Sequence, residues 1–321
     1  MPLIYESSYT KRPRLHFNSY LETVLPFLTT RIYQVDYKRE RLELPDGDFL
    51  DLDWMKQGSS KLMLLTHGFE GNTRDPYMEQ SASFFSQQGF DILLWNLRSC
   101  SGELNRLPRF YHHGDADDLS QVIDHAVHSG AYDEIILVGF SLGGAISLSF
   151  LARNMSGSPI SGAIVLSVPL DVAKTSERIR NRWNKLLLEK NFGKIKTKVL
   201  QKAEQFPDLI DVNQVAAISN LNDLNQEVLL SLNGFSSLES YYHQWNALQF
   251  LPEIKLPTLI INAQNDPLLS ENDFPYELCK KSDWVYLETP RYGGHVGFTK
   301  TVKGKHWYLT RMQEFIETHI S

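Results

Sequence analysis

EIILVGFSLGGAISLSFLAR occupies residues 134–153 and changes character halfway along. Its first part is a short, nearly unbroken apolar run, as a strand buried on both faces requires. Its last part reads as a helix. Between them stands Gly139-Phe140-Ser141-Leu142-Gly143, a G-x-S-x-G pentapeptide. A strand that turns abruptly into a helix strains the backbone at the serine and crowds its neighbours. Glycine on either side removes the Cβ atoms that would collide. The turn lifts the Ser141 hydroxyl above the sheet edge, and the helix N-terminus beneath adds positive potential where a negative oxygen could form.

Working outward, five further runs share the apolar rhythm of 134–140. KLMLLTHG and FDILLWNLR precede it; GAIVLSVP, TLIINAQND and WVYLETP follow. Helix-compatible sequence separates them, so the spacing predicts a mostly parallel sheet with helices on both faces. Before these runs, alternating apolar residues flank Pro45-Asp46-Gly47 and predict an antiparallel hairpin. One gap, between Pro169 and Pro257, is too long for a single crossover. There Ile179, Trp183, Leu186 and Leu187 recur at helical spacing, as do Leu238, Tyr241, Tyr242, Trp245 and Leu248. The expectation is an α/β-hydrolase fold with a helical cap insertion. Residues 1–30 form an N-terminal segment, 31–170 and 251–321 the core, and 171–250 the cap.

A serine hydroxyl is a weak nucleophile until a base takes its proton. In this strand-to-helix context the order is serine, acid, histidine, with the base after the last strand. Of ten histidines His295 and His306 are the first to follow that strand. His295 sits behind Gly293-Gly294, which permits a tight inward loop, whereas His306 leads into the closing helix. Two acids end strands: Asp266 in Asn265-Asp266-Pro267 and Asp171 after GAIVLSVPL. Asp266 is the choice, and Asp171 is expected to cap a helix. The turn after KLMLLT supplies the backbone N–H of Phe69 as one oxyanion donor, with that of Leu142 as the second. His67 is expected to be a structural part of that turn.

These stretches resemble the YheT-like branch of α/β-hydrolases, which includes fungal medium-chain ester synthases and ABHD-type phospholipases. The resemblance runs from about Pro13 onward. It rests on HGFEGNTRDPY (67–77), WNLRSCSGELNRLPRFYHHGDADDL (95–119), GFSLGG (139–144), NAQNDPL (262–268) and GGHVGF (293–298). It implies esterase or acyltransferase chemistry on short- to medium-chain acyl esters, with the triad falling on Ser141, Asp266 and His295. Asn18-Ser19-Tyr20-Leu21-Glu22-Thr23 departs from the Asn-Gly-His-Leu-Gln-Thr usual at this place, so any role of that histidine does not carry over.

Charge and composition narrow the partners. Apolar residues make up 42% and the formal net charge is -6, an ordinary globular balance that disfavours nucleic acid. Two cysteines give no disulfide framework, and neither a signal-peptide core nor a membrane-length apolar run is present, so the expected place is the cytoplasm. No cofactor is expected. His112, His113, Asp115, Asp117 and Asp118 imitate a metal cluster, but adjacent histidines point apart, and Asp115 or Asp117 is expected to cap a helix. No histidine is placed to activate Cys100, which reads as a small structural residue. The expected partner is a small acyl ester. From Asp171 to Phe206 ten basic residues face four acidic ones. Either the cap has core-facing apolar stripes and solvated basic faces, or its basic face makes weak peripheral contact with anionic lipid. Two other functions stay open: an acyltransferase that makes esters from an acyl donor and an alcohol, and a catalytically silent scaffold used for binding.

Overall fold

Hydrophobic alternation sets the sheet. In the computed structural model, which describes residues 3–29, 35–153, 159–299 and 306–320, the run Lys61–Thr66 forms β4. Leu62 and Leu64 point into one buried cluster and Met63 and Leu65 into another on the opposite face. Every such side chain is fully buried, worth about 1.5–3 kcal/mol each for the larger ones. The same holds along β5 (Asp91–Trp95), β6 (Glu134–Phe140), β7 (Ile160–Leu166), β8 (Thr258–Ile261) and β9 (Val285–Glu288). All six apolar runs are therefore strands, and they pair in parallel.

The hairpin around Pro45-Asp46-Gly47 is present as β2 (Lys38–Glu43) and β3 (Phe49–Met55). β3 joins the sheet antiparallel to β5. The opening segment adds a ninth strand that sequence patterning does not reveal. This two-residue β1 (Leu3–Ile4) runs parallel to β9, giving the order β1-β9-β8-β7-β6-β4-β5-β3-β2. α1 (Ser19–Thr29) follows it.

α2 (Pro76–Gln87) and α12 (Trp307–His319) cover one face of the sheet, while α3 (Ala116–Ser129) and α4 (Leu142–Arg153) cover the other. The chain thus leaves β4 and β6, neighbours in the sheet, toward opposite faces. The connections leaving their carboxyl ends diverge and open a crevice of the kind where α/β sheets bind ligands.

The long insertion holds α5 (Val172–Ile179), α6 (Arg182–Gln205), α7 (Val212–Ala217), α8 (Leu221–Leu224), α9 (Leu230–Leu232) and α10 (Leu238–Trp245). α11 (Tyr276–Lys280) comes later, between β8 and β9. Phe192, Ile195, Val199, Val215 and Leu224 build a separate small core here, joined by Phe110 from the loop after β5. Tyr241 and Trp245 of α10 instead pack on the main core. The stretch 176–190 is not one core-facing helix. Asn181 accepts from the Trp183 N–H and starts α6 afresh, and Trp183 and Leu186 are 60% and 57% exposed. Helical spacing aligned the apolar side chains but could not say what covers them.

Candidate active site

Ser141 follows the last residue of β6 and has φ +53°, in the left-handed region. Its N–H donates to the Leu166 carbonyl at 2.8 Å, locking the turn against β7. A Cβ at Gly139 would stand 2.6 Å from the Gly143 carbonyl oxygen, and one at Gly143 would stand 2.4 Å from that of Thr66. Both distances are impossible for a real side chain, which is why the pentapeptide needs glycine at each flank.

Asp266 lies beyond β8, its carboxyl group fully buried. One oxygen is 2.8 Å from Nδ1 of His295, and the other accepts from the Leu268 N–H at 2.9 Å. A carboxylate can only accept, so Nδ1 carries the proton. That leaves Nε2, 2.9 Å from Ser141 Oγ, to accept the serine O–H. The structure thus brings Ser141, His295 and Asp266 into one hydrogen-bonded line, drawn from the ends of β6, β8 and β9.

The loop holding His295 is pinned on several sides. The His295 N–H donates to Thr23 Oγ1 at 2.9 Å, the Gly293 N–H to the Glu22 carboxylate, the Gly294 N–H to Asn265 Oδ1 at 3.1 Å and the Val296 N–H to Ser167 Oγ at 2.9 Å. Buried Glu22 is paired with Arg12, whose guanidinium lies 4.4 Å from the Tyr292 ring centre. Sequence reasoning missed Glu22 and Thr23. The only signal was that both fall in the Asn18–Thr23 stretch, where Glu22 departs from the pattern the chain resembles and Thr23 keeps it. Tyr20, at the family's histidine position, instead packs on Trp183 with ring centres 6.4 Å apart.

The turn after β4 closes the other side. A Cβ on Gly68 would stand 3.2 Å from that of Ser141, so the Gly68–Phe69 backbone abuts the serine. Beneath it, His67 is fully buried, with Nδ1 at 2.7 Å from the Gly68 carbonyl and Nε2 accepting from the Leu97 N–H. Burial pushes its pKa down to about 4, so the ring is a neutral spacer, as its place in the turn suggests. Glu70 has φ +54° and is clamped. Tyr111 donates to its carboxylate at 2.7 Å and accepts its N–H at 2.8 Å. One face of α6 grips the same turn. Asn191 donates to the Phe69 carbonyl at 2.9 Å, Lys194 to the Glu70 carbonyl at 3.0 Å, and Lys198 meets the Glu70 carboxylate at 2.8 Å.

The other candidate residues have different work. Asp171 caps α5, accepting from the Lys174 N–H, and also accepts from Asn272. His306 stands at the head of α12 and also lines the cavity, while it is Nε2 of His295 that lies 2.9 Å from Ser141 Oγ. Cys100 is buried beside Lys198, and burial pushes its thiol up to about 12. Asp115 does stand at the start of α3 but does not cap it. Its carboxylate is taken by Arg109 and by the N–H and ring of His112. Asp118 binds buried Arg98, which also holds Asp46 and Asp48 of the hairpin turn. The unusual 95–119 segment is thus an ionic knot tying the hairpin to α3.

Ser141 and His295 open onto a cavity of about 450 Å³. Val24, Phe27 and Leu28 of α1, Ile179 and Leu187 of the insertion, and Tyr241 of α10 line it. It is a mostly apolar chamber of ligand size with the polar line at one wall.

Residues 61–300 match the family described as alpha/beta hydrolase fold. The chain is 28% identical over 311 residues to the Escherichia coli K12 protein named "Putative esterase YheT", covering 94% of this chain and 91% of that one. It is 27% identical to mouse phospholipase ABHD3, covering 92% and 74%, and 24% identical to the monoacylglycerol lipase of Saccharomyces cerevisiae, covering 85% and 62%. Among solved structures, the Pyrococcus furiosus esterase Pf2001 superposes with a TM-score of 0.60 at 18% identity, covering 97% of this chain and 98% of that one, a likeness of fold.

Proposed function

The chain belongs to the alpha/beta hydrolase fold family, and we propose that it is a serine hydrolase of carboxylic esters that works through an acyl-enzyme on short- to medium-chain acyl groups. The observation that carries this reading is the line Ser141–His295–Asp266, with contacts of 2.9 and 2.8 Å, at the wall of an apolar cavity. Relatives named as an esterase, a phospholipase and a monoacylglycerol lipase support ester hydrolysis as the general chemistry.

In this mechanism Ser141 Oγ attacks the ester carbonyl carbon while its proton moves to Nε2 of His295. Asp266 holds the ring in the required tautomer and stabilises its charged form without taking the proton. The carbonyl oxygen becomes an oxyanion, to which we assign the N–H groups of Phe69 and Leu142. Each such donor is worth about 2.7–4 kcal/mol of barrier. The intermediate collapses, the C–O bond to the alcohol breaks, and His295 returns its proton to the leaving oxygen. Water, deprotonated by the same ring, then attacks the acyl-enzyme carbonyl; the bond from that carbon to Ser141 Oγ breaks, His295 returns the proton to Oγ, and the carboxylic acid leaves. Residues 171–250 act as a cap that closes the acyl chamber.

The test is hydrolysis of a p-nitrophenyl ester series, together with labelling by a fluorophosphonate probe, which reports an activated serine. Wild type should hydrolyse and label, and Ser141→Ala should do neither. Undiminished activity in Ser141→Ala would overturn the assignment.

A further inference from the structure

Several apolar side chains are exposed on the two helices, α1 and α6, that contribute to the cavity wall. Leu28, at 70% exposure, and Phe27 lie on α1 and line the cavity as well as facing solvent. Trp183 and Leu186 lie on the first turns of α6, next to the cavity-lining Leu187. The Tyr20–Trp183 ring contact joins the two helices into one rim. A substrate arriving singly from water needs the chamber but not an oily rim outside it.

The rim is flanked by cations. Arg178, Arg180, Arg182 and Lys185 are all exposed, and among the described residues none of them makes a salt bridge to an acidic side chain. Elsewhere the molecule is acidic, since its net charge is -6 while residues 171–206 carry ten basic and four acidic side chains. Exposed apolar side chains beside exposed cations that lack a carboxylate partner, one of them, Arg182, lying 5.9 Å from the Trp183 ring centre, match an interface with oil below and negative charge at its surface. A second copy of the chain matches poorly. A two-fold contact through this rim would set each cation group against its own image.

Resting on the esterase reading above, we propose that the α1–α6 rim docks the enzyme on anionic lipid surfaces, with Trp183 and Leu186 entering the interface and Arg178, Arg180, Arg182 and Lys185 facing the headgroups. The cavity mouth then opens directly onto the bilayer, and the substrates are esters that partition into it. Docking is reversible and weakened by salt, because the basic contacts are screened.

The experiment is co-sedimentation of the full chain with phosphatidylglycerol-containing and pure phosphatidylcholine vesicles, at about 0.05 M and about 0.5 M salt. Wild type should bind the anionic vesicles at low salt and release at high salt. Arg182→Gln/Lys185→Gln should lose roughly 25-fold in partitioning on anionic vesicles, about fivefold per cation. Trp183→Ala/Leu186→Ala should lose roughly tenfold or more at either salt. All variants should hydrolyse a soluble p-nitrophenyl ester like wild type. Wild type that ignores anionic vesicles at low salt refutes docking, as does binding indifferent to lipid charge and salt. Cation variants that partition like wild type also refute it. A concentration-dependent dimer that Trp183→Ala/Leu186→Ala abolishes assigns the rim to a second copy instead. The soluble assay keeps the two readings apart: hydrolysis without vesicle binding overturns docking alone, and binding without hydrolysis overturns the esterase reading alone.

Discussion

Asp266→Asn isolates the one contact that fixes the histidine's tautomer. The substitution changes no heavy-atom shape, but the site does not accept both amide orientations equally. Leu268 N–H points at one carboxylate oxygen of Asp266 and needs an acceptor there. The asparagine oxygen must therefore take that place, which turns its NH2 toward Nδ1 of His295, where the other oxygen stood 2.8 Å away. Nδ1 then has to accept, the ring proton moves to Nε2, and Nε2 can no longer receive the proton of Ser141. Flipping the amide would set two donors against each other in a buried site, at a cost of about 1–3 kcal/mol. The flipped form would keep the productive tautomer but is the disfavoured one, and both forms lack the carboxylate charge that stabilises the imidazolium. We expect kcat to fall roughly ten-thousandfold, which at 1.36 kcal/mol per decade is about 5.5 kcal/mol of barrier. KM and the thermal midpoint should change little. The assay is steady-state hydrolysis of a p-nitrophenyl ester, with circular dichroism melting as the fold control. A variant within tenfold of wild type would refute the reasoning. Asp171→Asn is the matched control. It should leave kcat unchanged, because asparagine caps α5 as well as aspartate does.

Thr23→Val removes the acceptor of the His295 N–H while keeping side-chain shape. It should lower kcat by about ten- to a hundredfold through small misplacement of the base, with KM and melting near wild type and probe labelling slowed in step. Lys198→Met strips the buried Glu70 carboxylate of its ion pair. We expect about 1.5–3 kcal/mol of lost stability in denaturant melts and kcat lowered roughly tenfold, a fraction of the loss of a whole oxyanion donor. His67 titrates near pH 6.5 when unfolded and about 4 when folded, so between these values the unfolded chain binds more protons. Its share of stability is complete above about pH 6.5 and is lost as pH falls toward 4. Melting temperature in His67→Asn should therefore decline less steeply over that interval than in wild type.

What could be read from the chain follows from which interactions are local. The six core strands were legible because each is an apolar run buried on both faces, and the serine turn because its steric demand is met within five residues. Asp266 and His295 were selected by position after strands. The supports of His295 were not, because Glu22 and Thr23 act on residues 271 and 272 positions away. Arg98 was equally opaque. A charged residue in isolation reads as surface, and only the fold shows three carboxylates closing on it. Trp183 and Leu186 failed in the opposite direction. Their spacing marks a helix face, but spacing carries no information on whether protein or solvent lies beyond it.

The pinning of the His295 loop by α1 also sets an order of events during synthesis. The serine turn, complete by Arg153, can fold well before the His295 loop has been made. Glu22 and Thr23 emerge earlier still, then wait for partners 271 and 272 residues downstream. At about 5–20 residues per second, that wait lasts roughly a quarter of a minute to a minute. Throughout it the nascent chain carries a serine with no base, and α1 has no loop to hold. With the proposed triad unassembled, the chain is expected to be inert during that wait. On the proposed triad, turnover begins only once α1 has met a loop 271 and 272 residues downstream of its own Glu22 and Thr23.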